Sequence, residues 1–138
     1  MNDGTNVSVM VGTRKGGFIF SSDQNREKWI PSPLHFKSWK VMHMVLDPRD
    51  QRLHAAVAHD VYGASIHYSD DMGNTWIQSK KPPQFEALPA SRRPLSSPEE
   101  VRAAIENDVI PADAQEKINQ IWHIKPGRQN EPGILYAG

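Results

Sequence analysis

The stretch SDDMGNTW, residues 69–76, sets two adjacent carboxylates beside a glycine with hydroxyls on either side. Three readings fit those residue types: an acid–base pair, an oxygen-lined cation loop, or a turn stiffened by its own hydrogen bonds. Adjacent residues of an extended chain point to opposite faces, which counts against Asp70 and Asp71 acting on one substrate. The oxygens are also too few and too closely spaced for an EF-hand-like loop. A turn aspartate accepts backbone N–H groups, and Gly73 permits the positive φ that such corners use. A structural corner is therefore expected of Ser69, Asp71, Gly73, Thr75 and Trp76.

Other chemistry-bearing types gather elsewhere. Arg14 and Lys15 stand in TRKGG, His35, Trp39 and Lys40 in PLHFKSWK, and His59, Asp60 and Tyr62 in HDVYG. Cations, imidazoles and aromatic rings in one place would hold a sugar or small anionic ligand by charge-assisted hydrogen bonds and stacking. His59 beside Asp60 also has the makings of an acid–base pair. The six histidines show no H-E-x-x-H or comparable spacing, so neither a metal nor a cofactor is expected. No serine-nucleophile motif accompanies them, and no catalytic residue is assigned.

Composition narrows the classes further. The 138 residues suffice for one ordinary domain, and 16 basic side chains balance 16 acidic ones. That neutrality argues against a nucleic-acid partner. The absence of cysteine excludes disulfides, thiolate metal sites and cysteine nucleophiles. No apolar run approaches the roughly 20 residues that span a bilayer, so no membrane role is expected and the cytoplasm is the expected location.

The elements that must position these groups repeat. VSVMVGT alternates, with Val7, Val9 and Val11 on one side and Ser8 and Met10 on the other. TRKGG, GFIFSS, a polar turn and KWI follow. The same order recurs as LHAAVA, HDVYG, SIHYS, DDMGN and TWIQ, preceded by VMHMVLD. SSDQNREKW aligns with YSDDMGNTW, so Ser22 and Asp23 match Ser69 and Asp70, and Trp29 matches Trp76. A third copy opens at IWHIKP and continues in ILYAG, with Pro126 corresponding to Pro48. The repeat is one four-stranded antiparallel unit of about 40–50 residues, the size of a propeller blade, and the third copy stops before its polar turn. Prolines at 82, 83, 89 and 94 mark a different, extended segment. Within it SPEEVRAAIEND reads as a short helix, with Ser97 as cap, Pro98 in the first turn and Glu100 completing a capping box. The segment is a surface insertion, or more sharply a lid or binding wall.

Residues 69, 71, 73, 75 and 76 fit the S-x-D-x-G-x-T-W pattern of the Asp-box, or bacterial neuraminidase repeat. The chain resembles uncharacterised Asp-box propeller proteins of the sialidase-like, glycosyl-hydrolase-like group, over almost its whole length outside the insertion. The resemblance implies an all-β partial β-propeller. Blade one would span 7–30, blade two 39–78, the proline-rich and helical insertion 82–119 with its helix near 97–119, and an incomplete blade three 120–138. It also implies that the Asp-box turn lies away from any active site, so the loops carrying Arg14, Trp39 and Asp60 form the face of interest. A sialidase would need an arginine triad, a tyrosine nucleophile with its glutamate, and an acid–base aspartate. Arg14 alone offers itself here. A scaffold or ligand-binding module is therefore expected, with a glycosidase completed by residues on further blades as the alternative. A propeller ring needs at least four blades, so the chain reads as an N-terminal fragment of a longer propeller or as one member of a homo-oligomeric ring.

Overall fold

The computed structural model describes residues 7–81, 83, 97–106 and 118–138. The chain divides into two units, Met1–Pro83 with Asn119–Gly138, and Gln84–Ile118. The first unit is all-β and antiparallel. Its first sheet has the order β1(Val7–Thr13), β2(Gly16–Ser22), β3(Ile30–Pro31). Its second has the order β4(Lys40–Leu46), β5(Leu53–His59), β6(Gly63–Ser69), β7(Ile77–Gln78). A third pairs β8(Ile124–Pro126) with β9(Leu135–Ala137). In the second unit, α1(Pro98–Glu106) lies within the expected helical stretch, and no helix of the described residues is long and apolar enough to cross a membrane. Residues 118–120 are not helical. The prolines at 82, 89 and 94 and the whole 107–117 stretch expected to continue the helix lie outside the described residues.

The strands follow from local chemistry. Arg14 and Lys15 close a two-residue turn, and β1 runs in unbroken register with β2 from Val7 opposite Ser22 to Thr13 opposite Gly16. The valine side of β1 faces outward, with Val9 45% and Val11 37% exposed, while Met10 packs inward on the core. β5 is the central strand. Leu53, Ala55, Ala56, Val57 and Ala58 are all buried, so both of its faces are covered. Alanine is a poor strand former, and burial on two sides overrides that propensity. Val41 and Met44 of β4 join Ala55 and Val57 in the core, onto which Met10, Phe36, Trp39 and Trp76 close. Strand β4 touches β1 on one side and β8 on another. Gly12 makes the first approach feasible, since a Cβ there would overlap the Val41 carbonyl.

Two long-range devices join the sheets. Residues 17 and 35 exchange backbone hydrogen bonds of 2.9 Å in both directions, tying the approach to β4 onto β2. Asp47, 2% exposed, accepts from the Arg49 guanidinium at 2.6 and 2.9 Å. The same guanidinium donates to the carbonyls of Glu131 and Ile134, which clasps the turn between β8 and β9. That pairing holds the Asp47 carboxyl down at about 2.

Candidate functional site

Three segments meet at one end of the β-sheets. The first is the turn of Arg14 and Lys15; the second is Trp39 with Lys40 at the start of β4; the third is His59 with the loop 60–62 between β5 and β6. The Ser38 N–H donates to the Lys15 carbonyl at 3.1 Å, which fastens the first segment to the second. The Lys40 ammonium lies 2.6 Å from Asp60, which fastens the second to the third. Trp39 contacts His59 with ring centroids 4.8 Å apart and stacks on Tyr62 at 5.9 Å and 15°. His59 and Tyr62 are 4.9 Å apart, completing the aromatic triangle. The Val61 N–H donates to His59 Nδ1 at 3.1 Å, so the imidazole proton sits on Nε2 when the ring is neutral.

A cavity of about 420 Å³ is lined by Thr13, Arg14, Lys40, Val41, Met42 and Trp122 among others, and by none of the three rings of the triangle. It falls within the about 300–1,000 Å³ range of small-molecule sites. Two cationic side chains and an indole, 67% exposed, edge it. The Arg14 guanidinium makes no hydrogen bond or salt bridge among the described residues. Its positive charge nevertheless reaches Asp60 and, after the Lys40 contact, helps to keep that carboxylate below its usual range. Trp122 was not singled out by sequence reasoning. Its signal was its place at the entry to β8, on the same expected face as Arg14.

Not every expected member joins. His35 lies instead beneath the octet turn, where the Trp76 indole N–H donates to its Nδ1 at 3.3 Å. Its Nε2 is buried without a partner among the described residues, and desolvation lowers its pKa. The backbone bridge to Gly17 carries it there. Lys15 is exposed in the β1–β2 turn and does not line the cavity.

The octet turn closes on itself. Asp71 Oδ1 accepts the Ser69 hydroxyl at 2.7 Å and the Thr75 N–H at 2.8 Å, while Oδ2 accepts the Thr75 hydroxyl at 2.6 Å. The Gly73 N–H donates to Ser69 Oγ at 2.8 Å, with Gly73 at φ 93° against Ile19 and His35. The Thr75 and Ser69 bonds together hold Asp71 at about 2. Asp70 turns away to the Arg52 guanidinium, with bonds of 2.6 and 3.0 Å. The two neighbouring carboxylates thus serve different partners. The turn and the 60–62 loop sit at opposite ends of β6, about 20 Å apart for a strand of that length. Among the described residues no group of three or more histidine, aspartate or glutamate side chains is placed to hold a metal.

No protein-family model matches the chain, and no curated protein matches it.

Proposed function

We propose that the chain is a ligand-binding module, built as part of an Asp-box β-propeller, whose site is the cavity of Arg14, Lys40 and Trp122. The observation that carries this reading is the pair of cations at one cavity, with Arg14 unengaged by any described group. A ligand carboxylate or phosphate would satisfy both, and a sugar ring would lie on an aromatic face. The repeated sheets and the closed octet corner support the propeller reading of the scaffold.

Catalysis is not part of the proposal. Among the described residues Asp60 is the carboxylate that Lys40 holds at this end, and that bond keeps it ionised, the opposite of what a general acid requires. Fluorogenic sialosides and a broad glycoside panel should therefore show no turnover with the purified chain, while calorimetry detects an anionic sugar such as glucuronate. Turnover that disappears in Asp60→Asn would replace the module by a hydrolase.

A further inference from the structure

We propose that Asp60 is a built-in competitor at the anion site: its carboxylate occupies the Lys40 ammonium until the carboxylate or phosphate of a ligand displaces it. This rests on the binding-module reading above. The two partners of the ion pair are unequally held. The Lys40 side chain is 30% exposed and lines the cavity, whereas that of Asp60 is 83% exposed and does not. Lys40 is thus the fixed member of the site, and Asp60 is the outer one. An ion pair open to water is screened and readily exchanged. Tyr62 stays stacked on Trp39 two residues further on, so the loop keeps an anchor when the Asp60 carboxylate leaves.

An incoming oxyanion gains what Asp60 lacks. Asp60 makes no hydrogen bond to Arg14, although the two charges feel one another. An anion seated in the cavity can accept from the planar guanidinium and from the ammonium together, and bidentate bonds to arginine are the stronger kind. Asp60 then acts as a threshold. Uncharged sugars, which cannot compete for Lys40, leave it in place, and anionic ones remove it. It is a specificity-determining residue.

The test is calorimetric titration of the full chain with glucuronate, glucose 6-phosphate and glucose. The parent is expected to bind both charged probes and not glucose, and the tighter of the two tells a carboxylate ligand from a phosphate ligand. Asp60→Asn should tighten the charged probes about 3-fold, the weight of an exposed ion pair, and Lys40→Met should weaken them at least about 10-fold. Asp60→Ala gives the same gain if the asparagine variant fails to fold. Unchanged affinity in both Asp60 variants, with binding lost in Lys40→Met, would overturn the competitor and leave the site. Binding of glucose as tight as glucuronate would overturn the selection for anions. No binding of any probe by the parent would overturn the site, and the competitor with it.

Discussion

At the turn between β6 and β7, Asp71 accepts the Ser69 hydroxyl and both the hydroxyl and the N–H of Thr75, and Met72 and Gly73 both take positive φ. At the matching turn between β2 and β3, the carboxylate that serves is Asp23, one position earlier. It accepts the Asn25 and Arg26 N–H groups, at 3.1 and 3.2 Å. Arg26 stands where Gly73 stands and adopts φ 56° without being a glycine. Ser22 sends its hydroxyl to the Lys28 carbonyl at 2.6 Å instead of to a carboxylate. Trp29 is 37% exposed, whereas Trp76 reaches the core through Phe36, at 4.7 Å between ring centroids, and His35. The backbone corner thus survives loss of the side-chain pattern, and what the full pattern adds is a tryptophan anchored onto the neighbouring strands.

The sharpest break in that comparison is at the tryptophans. Trp76→Ala should destabilise by about 3–5 kcal/mol in denaturant unfolding, since a large ring leaves a packed site. Trp29→Ala should cost less, about 1–2 kcal/mol, because its ring is 37% exposed and is not among the side chains that close on the core. Equal losses would mean the two turns do the same job. Next in size is Ser69→Ala, which strips the buried Gly73 N–H of its acceptor and should cost about 2 kcal/mol. Ser22→Ala removes only a donor to one carbonyl and should cost roughly half as much.

The glycine position gives a smaller, signed test. Gly73→Ala should cost about 1–2 kcal/mol, because φ is 93° and the added methyl meets Ile19 and His35 within 3.2 Å. Arg26→Gly should be close to neutral, the relief of its left-handed backbone offsetting the looser unfolded chain. Smallest near neutral pH is the ionisation effect. Asp71 is held at about 2 in the folded chain, against 3.8 ordinarily. Its contribution is therefore complete above about pH 4 and is lost as pH falls toward 2. Asp71→Asn should flatten that acid limb without abolishing it, since Asp47 is depressed to about 2 as well and loses its contribution over the same range. Thermal melts at stepped pH check this; an unchanged limb would show that Asp71 is not held as described.

The two turns also mark what a sequence displays. The octet was legible because its partners lie two to four positions apart, as in the four-residue span from Asp71 to Thr75. Strands β4 to β6 were legible because apolar runs end at DPRDQR and HDVYG, which break them. Trp76 packs on the core of its own sheet, but its hydrogen-bond partner His35 is 41 positions away. The path of His35 depends on a backbone bridge to Gly17, which no local pattern announces. Arg49 reads as an ordinary turn cation, yet it reaches a carbonyl 85 positions on. Interactions inside one turn follow from residue types and spacing; those between sheets follow from the packing of whole strands, and pairwise reading does not contain it.

The central claim is a division of labour, with the octet shaping the sheet edge and the cavity of Arg14 and Lys40 receiving the ligand at the other end of β6. Glucuronate affinity of Asp71→Asn, measured below its melting temperature and beside Lys40→Met, tests it most directly. The account predicts that Asp71→Asn melts lower but binds within about twofold of the parent, while Lys40→Met loses binding. Affinity lost in Asp71→Asn with its melting temperature unchanged would place the ligand at the turn and contradict the account.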